Sequence, residues 1–291
     1  MTTPTFPAAT TAPTASDAAP GPTVVAGATG KTGRRVADRL EAAGLPVRRA
    51  SRGATPRFDW ADESTWAPAL EGASAVHVAY APDLAVPGAP EAVARFAAAA
   101  RTAGARRLTM VTGRGETEAQ RAEALVAEAF PARTVLRCSF FAQDFSESFL
   151  LDPVLDGTLA LPVGDAVDPF VDLEDVADVA VAALTDDQHA GQVYELTGPR
   201  LLSFADVAAE ISAASGRDVR FAPVAMSDFA AGLAADGVPD DVVALMQYLF
   251  TEVLDGRGAY VTDTVEQVLG RPARDFREFA VREASAWRAR S

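Results

Sequence analysis

A glycine-rich turn between a strand and a helix constrains this chain more than any other stretch. From Thr23 to Arg52 it reads TVVAGATGKTGRRVADRLEAAGLPVRRASR. The apolar run Val24-Val25-Ala26 ends in Gly27-Ala28-Thr29-Gly30-Lys31-Thr32-Gly33. Val36, Leu40 and Ala43 then follow at helical spacing, Gly44 stops the helix, and a second strand-like run reaches Ser51-Arg52. Strand, glycine turn, helix, strand is a βαβ unit. In such a unit Gly27 permits the tight turn, Gly30 lets backbone approach a pyrophosphate, and Gly33 lets the helix lie close on the strand. The helix N-terminus offers free N–H groups and the positive end of its dipole to phosphate. Gly30-Lys31-Thr32 also matches the end of a P-loop. That motif needs a glycine five residues before Gly30, and Val25 stands there.

Length and charge narrow the partners. The chain has 291 residues, 49% of them apolar, which suits one large α/β domain or a domain with a lobe. A net charge of −14 argues against nucleic acid or an anionic membrane as partner and leaves a small-molecule substrate. No apolar run approaches the ~18 residues of a membrane span. Cys138 is the one cysteine, so no intrachain disulfide can form, and a cytoplasmic setting is compatible. With only His77 and His189 beside it, no zinc constellation is recognisable and no metal site is expected. Residues 1–21 are Thr, Pro and Ala with almost no charge; they lack the basic start and apolar core of a signal peptide and read as a disordered tail.

Beyond the first unit the pattern continues. Arg57 to Trp60 reads as a short third strand ending at Asp59, and Leu70 and Gly72 close a helix. Ala75 to Tyr80 is a buried fourth strand in which His77 reads as a core residue. An alanine-rich helix covers about Glu91 to Ala103, Arg107 to Thr112 is a fifth strand, a helix runs on to Phe130, and Arg133 to Cys138 is a sixth strand. Such alternation predicts a Rossmann-type, doubly wound parallel sheet with ligands at the carboxyl ends of its strands: Gly27, Arg52, Asp59, Tyr80, Thr112 and Cys138. The pattern then changes. Phe140, Phe141, Phe145 and Phe149 fall in an apolar helix, Asp172 to Leu184 is helical with Asp172 and Asp175 in structural roles, and Gln192 to Leu196 is another strand. Ser203 caps a helix to Ala214, Arg217 to Pro223 is extended, and the remainder is mostly helical. The organisation expected is a tail over 1–21, a dinucleotide-binding core over 22–157, and a mixed region over 158–291 that completes the sheet and forms a smaller, mostly helical substrate lobe.

These residues resemble the NmrA-like, NAD(P)H-binding group of atypical short-chain dehydrogenases. The resemblance is carried by GATGKTGRRV (27–36), Ser51-Arg52, VTGRGE (111–116), LRCSFFAQDF (136–145), PFVDLEDVADVAVAAL (169–184), YELTGP (194–199) and TDTVEQVLGRPARDFREFA (262–280). Leu136-Arg137-Cys138 replaces the group's usual Leu-Arg-Pro, and Gln143-Asp144 a common Gln-Asn. The resemblance implies roles by position. Gly27, Thr29, Gly30, Lys31, Thr32 and Gly33 would hold the pyrophosphate and adenosine side. Ser51 and Arg52 would meet the adenine ribose or its 2′-phosphate, with Asp59 and Trp60 flanking the adenine. Ala79, Tyr80, Ala81 and Pro82 would line the path of the nicotinamide ribose; Thr112, Cys138, Ser139 and Phe141 would border the nicotinamide. Phe140, Phe141, Gln143 and Phe170 are the expected substrate neighbours.

One absence shapes the chemistry. Standard short-chain dehydrogenases use Tyr-x-x-x-Lys, in which the lysine lowers the pKa of an acid tyrosine. Lys31 is the only lysine and Gly27 lies four residues before it, so the motif occurs nowhere in this chain. Tyr80, Thr112 and Tyr248 are the remaining candidates for a catalytic role. The reading is an NADPH-dependent reductase of a small activated acceptor: a quinone, an imine or iminium, or an enone. The rivals are a dinucleotide-sensing regulator without turnover, as some relatives are, and a non-redox enzyme that keeps the cofactor bound. The tail, with Phe6 as its one large apolar side chain beyond Met1, has little to bury. Deleting residues 1–20 is therefore expected to leave melting temperature and cofactor affinity nearly unchanged; a fall of several degrees would show that the tail docks.

Overall fold

A computed structural model describes residues 21–288. The expected tail lies outside the described residues except at its last position. Gly21 is docked: its carbonyl accepts the Ser74 hydroxyl, and a Cβ there would lie 2.0 Å from the Gly72 carbonyl oxygen.

The first half of the chain runs β1 (Thr23–Ala26), α1 (Lys31–Ala42), β2 (Val47–Ala50), α2 (Trp66–Leu70), β3 (Ala75–Val78), α3 (Ala89–Thr102), β4 (Arg107–Gly113), α4 (Thr117–Ala129) and β5 (Arg133–Cys138). The second half holds α5 (Asp144–Glu147), α6 (Leu151–Leu155), β6 (Thr158–Leu161), β7 (Val167–Asp168), α7 (Leu173–Thr185) and β8 (Val193–Leu196). It continues through β9 (Leu202–Ser203), α8 (Phe204–Ser215), β10 (Arg220–Pro223), α9 (Met226–Ala235), α10 (Asp240–Tyr248), α11 (Thr264–Leu269) and α12 (Phe276–Glu283). A six-stranded sheet has the order β2-β1-β3-β4-β5-β8, and every neighbouring pair is parallel.

Period-two alternation sends the strands' side chains to two cores. Val24 and Ala26 pack with Trp66, Leu70, Phe96 and Val126 from α2, α3 and α4. Val25, between them in sequence, packs on the opposite face with Val36 and Leu40 of α1 and Val176 and Val179 of α7. The expected doubly wound architecture is thus present. The chain leaves β1 for β2 on one side and then crosses to β3 on the other, so the order reverses at β1 and opens a crevice between the ends of β1 and β3. His77 on β3 is fully buried and shares a 2.8 Å hydrogen bond with Thr109; burial pushes its pKa down to about 4, which leaves it neutral in the core.

Two expected elements are corrected. Arg57 to Trp60 joins no sheet, and β8 takes the sixth place instead. The backbone N–H of Phe58 turns back to the Ser51 carbonyl at 3.0 Å, while the Asp59 carbonyl accepts the Trp66 indole N–H at 2.9 Å. The groups a sheet would need are therefore spent locally. The four phenylalanines from Phe140 to Phe149 do not share a helix. Phe140 to Ala142 runs alongside Val171, with Val171 N–H donating to the Phe140 carbonyl and Ala142 N–H to the Val171 carbonyl, each at 2.9 Å. Only Phe145 lies within α5.

The C-terminal region builds a third core from Phe145, Leu150, Leu159, Phe204, Ile211, Phe276, Phe279 and Trp287. Phe170, an expected substrate neighbour, sits inside it, 1% exposed and edge-on to Phe204 at 5.3 Å and Phe140 at 5.7 Å. Gln143, another, is fully buried and consumed at both ends. Its amide donates to Asp172 at 2.7 Å and its carbonyl accepts the Leu173 N–H at 2.9 Å. Asp172 caps α7 and takes Arg282 of α12 at 2.6 Å, while the fully buried Asp175 takes Arg271 at 2.8 Å and also Arg274. Gln143 thereby fastens the chain after β5 to α7. Gln143→Ala is expected to destabilise the protein by about 2–4 kcal/mol in urea titration, from an unsatisfied N–H and a small cavity. Unchanged stability with loss of acceptor binding would return Gln143 to a substrate role.

Candidate active site

The crevice at the sheet's carboxyl edge is a cleft of about 520 Å³. Its lining includes Gly27, Thr29, Gly30, Lys31 and Thr32 with Phe141 beside them, Ala79 to Leu84 after β3, and Phe140, Phe149 and the apolar side chains of α10 and the turn beyond it. At the glycine end, Gly27 has a φ of +85°, and a Cβ there would lie 2.2 Å from the Ala79 carbonyl oxygen. A Cβ at Gly33 would stand 2.3 Å from the Gly27 carbonyl oxygen, so only glycine lets α1 start this close to β1. Around Gly30 the same test meets nothing nearer than 3.4 Å. The backbone there is open to a ligand. No side chain caps α1 at Gly30, which leaves first-turn N–H groups at the cleft rim. A glycine cradle, an uncapped helix start and Lys31 fit the pyrophosphate of a dinucleotide. Lys31 pairs with Asp144 and lies 5.8 Å from the Phe141 ring centroid.

Several expected site residues line the cleft, with their polar groups already engaged. The Thr112 hydroxyl donates to Glu123 at 2.8 Å, and Glu123 is held in turn by Arg137. The Ser139 hydroxyl donates to the Pro169 carbonyl at 2.6 Å. Burial pushes the Cys138 thiol well up, so it stays protonated. Tyr80 lines the cleft with its ring 5.0 Å from that of Trp60.

Other expected residues lie elsewhere. Tyr248 is not part of the cleft lining; its hydroxyl accepts the Thr117 N–H at 3.2 Å and so closes the start of α4. Gln143 and Phe170 are likewise absent from the lining. Ser51, Arg52, Asp59 and Trp60 sit beyond the cleft, past the end of β2. Arg49 is engaged by Asp38 at 2.5 Å and Glu41 at 2.8 Å, whereas Arg52 is exposed and has no carboxylate partner among the described residues. Asp59 holds Arg57 at 2.7 Å and the Ala61 N–H at 3.1 Å. Trp60 packs edge-on to Phe58 and Phe96, each at 4.9 Å.

The site also contains acidic residues that the sequence reading did not single out: Asp83, Glu116 and Asp168. Glu116 is 8% exposed; burial, and after it the charge of Asp83, push its pKa up to about 8. Asp83 is raised by burial as well, although its carboxylate accepts the Ala85 N–H at 2.7 Å. Burial pushes Asp168 up to about 7 against a 3.0 Å hydrogen bond from the Phe140 N–H. Arg114 lines the same cleft, with its guanidinium 3.6 Å from the Tyr260 ring centroid and 3.4 Å from Glu195, and its charge opposes the rise at Asp168. The available signal was positional: Asp83 and Glu116 fall just past the ends of β3 and β4, where a doubly wound sheet collects its ligands.

No family model matches the chain. It is 34% identical over 277 residues to the uncharacterized oxidoreductase YesF of Bacillus subtilis, covering 91% of this chain and 96% of that protein. To the NAD(P)H azoreductase of Xenophilus azovorans it is 32% identical over 297 residues, covering 91% and 99%. Among solved structures, the Citrobacter sp. triphenylmethane reductase complexed with NADP(H) has the same fold, with a TM-score of 0.73 at 20% identity over 90% of this chain and 99% of that one. The NADPH-dependent quinone oxidoreductase QOR2 of Escherichia coli, complexed with NADPH, gives a TM-score of 0.70 at 21% identity over 89% and 99%. With a glycine-cradled cleft and relatives above 30% identity along nearly its whole length, the chain belongs to the NAD(P)H-dependent oxidoreductases.

Proposed function

We propose that this protein is an NADPH-dependent reductase of the NmrA-like branch that delivers hydride to a small activated acceptor, a quinone, an imine or iminium, or an enone, in the cytoplasm. The observation that carries this reading is one continuous cleft with two unlike ends. The glycine end, with Lys31 and the start of α1, suits a dinucleotide phosphate; the far end, with Phe140, Phe149, Leu245, Met246 and Leu249, suits a flat apolar acceptor. A sensor that only binds the dinucleotide needs no second, apolar room. A reduced nicotinamide supplies the hydride when bound; the chain's task is to align the acceptor and keep water from it. The azoreductase, triphenylmethane reductase and quinone oxidoreductase names among its relatives and neighbours support acceptors of this kind.

Discrimination against NADH is assigned to Arg52. It follows β2, is exposed, and has no carboxylate partner among the described residues, so its guanidinium is available for a 2′-phosphate. Charge-assisted hydrogen bonds of this kind contribute about 1.5–3 kcal/mol. Titration calorimetry of Arg52→Ala is expected to show NADPH weakened by roughly ten- to a hundredfold and NADH nearly unchanged. Equal weakening of both cofactors would remove Arg52 from the role.

Neither candidate tyrosine has the surroundings of a dedicated acid. Burial raises the pKa of both, and neither has a lysine four residues on to lower it. Tyr80→Phe and Tyr248→Phe are each expected to keep steady-state turnover of the best acceptor within about tenfold, less than the loss of a general acid costs. A thousandfold loss in either, with cofactor binding intact, would identify a relocated tyrosine acid. Partner capture that depends on the cofactor's redox state, without turnover of any acceptor, would favour the regulator instead.

A further inference from the structure

We propose that Glu116, with Asp83 opposite it, is the proton donor for neutral acceptors in this cleft. The inference rests on the reductase reading above. Glu116 heads α4 from its N-cap position, yet its side chain makes no capping hydrogen bond. The carboxyl is folded over Gly113 instead: a Cβ at that glycine would lie 1.6 Å from Oε1 and 2.1 Å from the carboxyl carbon. Gly113 is thus the seat that lets the acid group lie at the cleft wall, where Glu116 and Asp83 both line the acceptor's approach. Two hydroxyls beside it are spent, Thr112 on Glu123 and Ser139 on Pro169.

The groups around Glu116 come from several elements. Asp83 faces it from the loop after β3, Cys138 from the end of β5 and Tyr248 from α10. Arg114, on its own loop, donates to the Tyr260 carbonyl at 3.0 Å and lies 3.4 Å from Glu195, and its charge also acts on Asp168 of β7. Lys31 and Asp144, across the cleft, neutralise each other. Among the described residues no arginine or lysine pairs with Glu116, and two carboxyls near one another, Glu116 buried and Asp83 half-buried, favour sharing a proton. With its pKa pushed up to about 8, the group carries that proton at neutral pH.

The step balances simply. Hydride uptake by a neutral quinone leaves an oxyanion. The Glu116 O–H bond breaks, its proton forms the new O–H bond on that oxygen, and the carboxylate left behind takes its next proton from water. NADPH is the two-electron donor, so NADPH, quinone and H⁺ become NADP⁺ and hydroquinone. A cationic acceptor, such as a triarylmethyl cation, becomes neutral on hydride uptake and needs no proton, and this difference gives the test its control.

The first readout needs no cofactor. Infrared difference spectra of wild type minus Glu116→Gln near pH 6.5 are expected to show a protonated carboxyl band that fades with a midpoint near 8, and at lower pH in Asp83→Asn. Stability should follow. A glutamate that releases its proton near 4.5 when unfolded and near 8 when folded makes the native state bind more protons between those values, so wild-type stability falls as pH rises through that window. Glu116→Gln should flatten the slope and melt above wild type at pH 8. In turnover, Glu116→Gln is expected to slow reduction of a neutral quinone by about a hundredfold while a cationic triarylmethane dye stays within about threefold and NADPH affinity is unchanged. Absence of the carboxyl band, or quinone reduction by Glu116→Gln at the wild-type rate, overturns the donor role alone. Wild-type protein that binds NADPH but reduces neither acceptor overturns the reductase reading and the donor role with it.

Discussion

At the end of β1, backbone meets backbone with no side chain between. The left-handed Gly27 lets the chain turn against the Ala79 carbonyl, and Gly33 lets α1 begin against the Gly27 carbonyl. Everything at the cleft follows from that contact. A Cβ at Gly33 would push α1 and its open N–H groups away from the sheet edge, and one at Gly27 would push the turn off the end of β3. Holding β1, β3 and α1 this close brings the open helix start beside the loop after β3, and so into one cleft with Tyr80 and Asp83.

The cleft separates its charges along its length. The glycine end offers the positive end of a helix dipole and Lys31, whose charge is offset by Asp144. The other end combines aromatic and aliphatic walls with Asp83, Glu116 and Asp168, all carboxyls held above their ordinary range by burial. Groups that must ionise to act, such as a thiolate at Cys138, are disfavoured in the same setting.

The lobe depends on polar fasteners as much as on its phenylalanine core. Gln143, Asp172 and Arg282 join the segment after β5, the start of α7 and α12 in one chain of hydrogen bonds. Arg35 and Arg39 of α1 reach Glu174 and Asp178 of α7, and Arg271 and Arg274 bind Asp175 and Asp178 from the far end of the chain. Such pairs contribute little by charge alone where they are exposed. Here they set the register between the sheet layer and the lobe, because each carboxylate on α7 has arginine partners from distant segments. That geometry keeps Phe140 and Phe141 at the cleft.

The sequence by itself determined the elements whose cause is local. The βαβ unit, the doubly wound sheet, the cap at Asp172 and the capping box at Ser203 rest on glycine placement, hydrophobic period and capping chemistry, all written within a few consecutive residues. The glycine rim of the cleft was legible for the same reason. Where the reading missed, long-range partners decided. Arg57 to Trp60 has the composition of a strand, but Ser51 and Trp66 take its hydrogen bonds. Phe140 to Phe149 has helical spacing, but Val171 draws the first part out as extended chain. Gln143 and Phe170 sit in the right motif and face the wrong way, one toward Asp172 and the other into the lobe core. The acid group at Asp83 and Glu116 was beyond local reading, because its protonation depends on burial and on the meeting of two loops that lie far apart along the chain. Tertiary structure alone makes that environment.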